Sequence, residues 1–264
     1  MRNKISVKVI IPLILSILSI ITIIIAEIFH QIYDSKQVFL IWTASIFVTI
    51  STIFIRLFLI DIEKFKQRIN DTNPLSRVSL KPIRFLNFMV ISMILALIAT
   101  IALAFDFIIG MLLYLVTQIA LIYTFSGVVA LNFSKIKEDS RLQINYLVAM
   151  IFWILLIPLI YFFLIFNGIE SLVVVPYVIA IGSMACVSWF GFGYKNRSLM
   201  FRLMPIIASA LFVFSDTLIG NAKFGAFRIP LGFTIDITYV FNVLLMSHSM
   251  LFLKDKEGRY LLKQ

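Results

Sequence analysis

The sequence predicts an all-α fold: a polytopic membrane bundle of eight transmembrane helices with both termini cytoplasmic. Three observations carry this expectation. Composition is the first. Hydrophobic residues make up 61% of the 264-residue chain and charged residues 14%, with 26 Phe and a mean hydropathy of +1.04. Soluble domains run at about 45–50% apolar and about 25% charged, so this apolar surplus is too large for one soluble core. That excludes a soluble enzyme, a disordered chain and a secreted disulfide scaffold. The second observation is length. Eight runs each approach the roughly 20 residues needed to cross about 30 Å of hydrocarbon. The third is charge. With the N-terminus inside, 20 Lys and Arg fall on inner segments, and only Lys36, Lys223 and Arg228 fall outside. That asymmetry obeys the positive-inside rule and requires an even number of spans.

The eight spans are expected at 6–29, 38–60, 85–105, 107–133, 142–167, 172–193, 203–221 and 229–253, forming a single integral membrane domain over 1–264. The first follows Arg2 and Lys4 but is longer than the about 7–15 apolar residues of a signal-peptide core, so it reads as a transmembrane helix. Only Asp106 interrupts the third and fourth spans, with Gly110 close behind. The run is too long to cross once, so the chain turns there as a tight hairpin. The largest polar stretch, 61–84, is expected at the headgroups as a short amphipathic segment. A net charge of +10 in a soluble protein would suggest nucleic acid; here the cations flank apolar spans, and no nucleic-acid partner is expected. The single Cys186 lies in an apolar run, and His30 and His248 are far apart. No metal site and no cofactor are expected.

Acids at membrane depth cost about 2.5–3.5 kcal/mol near the centre on insertion scales and mark candidate sites. Asp106, Asp216 and Asp236 all fall toward the outer half in this topology. At 100° per residue, Asp236, Tyr239 and Asn242 share about a third of one helix face. Ser209 and Asp216 are seven apart, and Tyr114 and Gln118 four apart, so each pair also shares a face. These faces would form a polar cleft in an apolar bundle. Simpler readings stand beside that one. Asp106 makes the hairpin turn, Asp236 faces outer water, and Tyr239 and Asn242 act as interhelical glue.

From Pro205 to Leu251 the chain resembles the YhhN-type lysoplasmalogenase family. The resemblance rests on Ala208-Ser209-Ala210-Leu211-Phe212-Val213-Phe214-Ser215-Asp216, with Phe224 eight residues on, and on Ile237-Thr238-Tyr239-Val240-Phe241-Asn242 in the last helix. Tyr177 to Ala185 is a weaker match. The chain departs from the family where Phe105-Asp106 stands for Gly-Asp, and where Gly110, Tyr114 and Gln118 stand for a Gly, Phe and His series.

The resemblance implies an eight-helix membrane hydrolase that cleaves the vinyl-ether bond of a lysophospholipid, a membrane lipid, without metal or cofactor. Vinyl ethers hydrolyse by slow protonation on carbon, giving an oxocarbenium ion that water captures. Two carboxyl groups suit this chemistry, one delivering the proton and one steadying the cation and directing water. The resemblance assigns these roles to Asp106 and Asp216, with Gln118, Tyr239, Asn242 and Asp236 orienting water or the polar glycerol. A membrane transporter or a sensor module with a polar intramembrane cleft is the competing class. No internal repeat or matched pair of Gly/Pro-broken helices supports transport.

Overall fold

The computed structural model describes residues 7–33, 38–62, 81–129, 139–194, 197–225, 232–254 and 262. Eight helices in it are long and apolar enough to span a membrane. We label them α1 (Val7–Tyr33), α2 (Val38–Phe54), α3 (Lys81–Phe105), α4 (Phe107–Ser126), α5 (Ser140–Ile160), α6 (Val175–Phe190), α7 (Leu199–Phe224) and α8 (Gly232–Ser249). At 1.5 Å per residue the 27 residues of α1 reach about 40 Å, more than the hydrocarbon core requires. No strand occurs among the described residues.

Where helices end, the cause is local. Asp106 is the single non-helical residue between α3 and α4. Its backbone is extended (φ −146°, ψ 124°), and its Oδ1 accepts the Ile109 N–H at 2.8 Å, capping α4. Gly110 makes the tight return possible, since a Cβ there would lie 2.5 Å from the Leu103 Cα. Asp139 caps α5 through the Arg141 N–H at 2.9 Å, and Ser198 caps α7 through the Phe201 N–H at 3.2 Å. α2 runs on into a π-helical turn (Ile55–Leu59) and α5 into another (Tyr161–Ile165). Gly168, at φ 88°, then reverses the chain into a 3-10 turn (Ile169–Val174) that feeds α6. The expected fourth span continued to residue 133. The helix instead stops at Ser126, whose hydroxyl donates back to the Tyr123 carbonyl at 2.8 Å; residues 130–133 lie outside the described part. Most of the expected polar segment 61–84, at 63–80, also lies outside it.

Packing follows the physics of a lipid solvent. Apolar faces gain nothing from leaving lipid, so association depends on close backbone approach and polar bonds. Ala44, Ala99, Ala185 and Ala208 are wholly buried at helix contacts, as are Ser92, Ser209 and Ser215. Hydroxyls within the spans are satisfied by their own helix, as with Thr52 to the Val48 carbonyl (2.8 Å) and Thr124 to that of Ala120 (2.7 Å). Others tie neighbours together. Ser19 donates to the Ala44 carbonyl (3.0 Å, α1 to α2), Ser188 and Ser209 share a bond (2.7 Å, α6 to α7), and Ser215 donates to the Ile235 carbonyl (3.1 Å, α7 to α8). The Asn221 amide of α7 donates to the Leu164 carbonyl in the turn after α5, at 2.7 Å. The most extensive pairings are α3 with α4, α7 with α8 and α1 with α2, and α6 packs on α4, α5 and α7. Large core side chains come from Phe85, Phe125, Phe212, Met89, Met184 and Met246. α1 and α5 lie at the periphery and present many exposed Ile and Leu side chains.

Candidate active site

At the end of the bundle where α3 turns into α4, the helices leave a cavity of about 50 Å³. α3 and α4 supply Leu103, Phe107, Met111 and Tyr114 to its wall; α5, α6, the turns between them and α7 supply the rest, including Tyr177 and Asp216. Asp216 stands eight residues, about 12 Å, from the end of α7. Its flanks on the helix, Ser215 and Thr217, are buried, and Thr217 is satisfied by the Val213 carbonyl at 2.7 Å. The Tyr177 hydroxyl donates to Asp216 Oδ2. Gln118 of α4 approaches the same phenol, its Nε2 donating to Tyr177 Oη at 3.4 Å. Among the described residues no Lys, Arg or His lines the cavity, so there the carboxyl has a phenol for a partner and no cation. Such a site is desolvated and specific in its hydrogen bonding, and a pocket of this kind is the default place to look for chemistry.

A second set of hydroxyls connects the cavity to the bundle interior. Tyr114 lines the cavity and shares a 2.7 Å hydrogen bond with Thr100 Oγ1; Thr100 shares another, also 2.7 Å, with Tyr239. The Thr100 hydroxyl also reaches the Ala96 carbonyl at 2.8 Å. Tyr114, Phe212 and Tyr239 stand mutually edge to face, with centroids 6.0–6.4 Å apart. Tyr239 of the last helix is thereby fixed one hydroxyl bridge away from the cavity wall.

The remaining sequence candidates fall in different places. Gln118 is wholly buried beside Tyr177, and its Oε1 has no partner among the described residues. Asn242 is also wholly buried, one turn beyond Tyr239, and neither of its amide atoms has a partner among the described residues. Asp236 is half-buried near the start of α8 and does not line the cavity. Asp106 is exposed at the cavity rim: Leu103 and Phe107 on either side of it line the cavity, while its own Oδ1 caps α4. Lys223 stands at the same mouth, its ammonium 5.5 Å from the centre of the Phe107 ring. Among the described residues no group of three or more His, Cys, Asp or Glu side chains could hold a metal.

Sequence reasoning missed Tyr177 and Thr100 as members of the site. A signal for Tyr177 existed, because it follows Pro176 at the start of a span, at the depth of Asp216. Thr100 had none, since a threonine satisfied by its own helix looks like any other.

Eight apolar spans, five of which line a cavity with a carboxyl and a phenol, define a multi-pass integral membrane protein with a candidate site. The chain belongs to the YhhN family, whose model matches residues 77–250, two thirds of its length and every helix that lines the cavity. That family is lysoplasmalogenase-like, and membership supports a membrane hydrolase in general. No curated protein and no solved structure matches the chain.

Proposed function

We propose that the protein hydrolyses the vinyl-ether bond of a lysophospholipid, with Asp216 as the proton donor. The observation that carries this reading is the Asp216–Tyr177 pair inside an apolar cavity near the end of the bundle. In the proposed reaction Asp216 delivers a proton to the alkenyl carbon one removed from oxygen, and the adjoining carbon and oxygen share the resulting cation. Water adds to that carbon and loses a proton. The hemiacetal then collapses to a fatty aldehyde and the glycerol hydroxyl of the head-group fragment. Tyr177 orients the acid, and Gln118 positions Tyr177. Asp106 at the rim is the second carboxylate. It faces water, which it directs toward the cation, and it retains an oxygen beyond the one that caps α4. Lys223 at the mouth suits a phosphate headgroup. Tyr239 and Asn242 support the site through the Thr100 bridge and the polar interior behind it, and Asp236 takes its place on the polar side of α8.

The topology in this reading puts both termini in the cytoplasm and the cavity toward the outer half, supported by the 20-to-3 distribution of cations. Tags at both ends should stay protected from an impermeant reagent in intact cells. The functional test is aldehyde release from choline and ethanolamine lysoplasmalogens by purified protein, run beside a flux assay in liposomes. Aldehyde without flux supports the hydrolase; flux without aldehyde places the protein among transporters.

A further inference from the structure

The acid cavity has a neighbour. Between α5 and α6 a groove of about 470 Å³ opens on the lipid-facing side, with Trp153, Gly182, Cys186 and Phe190 in its lining. Its edges, Met150 and Ile154 on α5 and Ile179 and Ser183 on α6, are exposed. One residue, Ile157, lines both the groove and the cavity. Ile157 leans on the bare backbone of Gly182, where a Cβ would lie 2.6 Å from its Cγ1. Helix and helix approach closely at that glycine, and the Ile157 side chain lies between cavity and groove.

Direction gives the groove its meaning. On α5 and the turn that extends it the cavity uses Ile157, Ile160 and Ile165, whereas the groove runs from Pro158 back to Met150. On α6 and the residue before it the cavity uses positions from Val174 to Ile181, whereas the groove runs from Ile179 on to Phe190. The two helices are antiparallel, so both shifts point the same way: from the bundle end that holds Asp216 toward its middle, over about 10–12 Å. A lysolipid lies in a bilayer with the same polarity, its glycerol and head group at the surface and its one chain toward the midplane.

We propose that the groove between α5 and α6 holds the single hydrocarbon chain of the lipid whose polar end reaches Asp216, and that the chain passes over Ile157. This rests on the hydrolase reading for the identity of the polar end, but the chain site is tested without turnover. The probe is a lysophosphatidylcholine analogue with a saturated ether chain, which no vinyl-ether chemistry can cleave, carrying a diazirine near its terminal carbon. The full-length protein in nanodiscs is irradiated with it, and labelled peptides are mapped by mass spectrometry.

Label should concentrate in residues 150–158 and 179–190 and fall when the unlabelled ether lipid is added. Ser183→Phe fills the groove from an exposed position, so the bundle should still fold, as melting and gel filtration would verify. Displacing two buried methylenes lowers affinity about tenfold, and groove labelling should fall by that factor in the variant. Labelling spread over the lipid-facing side of α1 and indifferent to competitor would overturn the proposal. So would a cross-linked dimer through α5, which would make the groove an interface between copies. Aldehyde release without groove labelling sinks the chain site and spares the acid site. Competed groove labelling without aldehyde release does the reverse.

Discussion

Asp106 and Asp216 are both aspartates toward one end of the bundle, and the fold treats them in opposite ways. Asp106 is exposed and gives one oxygen to the first turn of α4; Asp216 faces an apolar cavity and takes its hydrogen bond from a phenol. The first interaction closes a hairpin whose geometry already depends on Gly110. The second joins two helices whose partners lie 39 residues apart in sequence. A capping carboxylate at the surface is worth about 1 kcal/mol and is replaceable by other capping residues. A carboxyl kept inside a bundle with no cation beside it is costly to hold there. In the proposed reaction it has a role that a neutral isostere could not fill. In the proposed reading, the hydrogen-bond partner rather than membrane depth separates the structural acid from the reactive one.

That contrast can be broken by substitution. Asp216→Asn should show the largest effect, because the amide keeps the volume but has no acidic proton to give. Loss of a general acid costs about 10²–10⁴-fold, while the folded bundle should survive, as a detergent melting curve would check. Tyr177→Phe comes next. It removes the phenol's donation to the carboxyl, and a hydrogen bond to a charged or acidic group is worth about 1.5–3 kcal/mol. Aldehyde release should fall by about 10–100-fold, with the effect in kcat more than in KM if Tyr177 orients the acid rather than the lipid. Asp106→Asn should do least. Asn caps a helix as well as Asp, so the melting temperature should not move, and losing the water-directing charge should cost about tenfold in rate. A melting temperature lowered in Asp106→Asn, with the rate per folded molecule unchanged, would reduce Asp106 to the hairpin cap.

The eight helices were legible in the sequence because lipid imposes its requirement on each span separately. Roughly 20 apolar residues and flanking cations suffice, and no long-range contact need be known. Hydropathy was misleading where it outlasted the helix, as after Ser126, because apolar composition marks what lipid tolerates and a helix end is set by hydrogen bonding. Asp216 stood out for the converse reason: an acid among Phe212, Val213, Phe214 and Leu218 has few harmless explanations. Thr100 was not legible as a site residue, and Tyr177 only through its place after Pro176 at the start of a span. Tyrosines and threonines are ordinary in membrane spans, and their roles come from α3, α4, α6, α7 and α8 being folded against one another. Likewise, seven-residue spacing placed Ser209 on the face of Asp216, yet its hydroxyl joins Ser188 in a helix–helix contact. Spacing gives faces, and packing decides what each face meets.

Running the reaction in D₂O and trapping the aldehyde at once by reduction tests the mechanism at the atom where it acts. Proton delivery to carbon predicts one deuterium on the carbon next to the former carbonyl in the wild-type product, and no product above background from Asp216→Asn. Aldehyde that lacks deuterium at that carbon, or equal release by the two proteins, would contradict Asp216 as the acid that opens the vinyl ether.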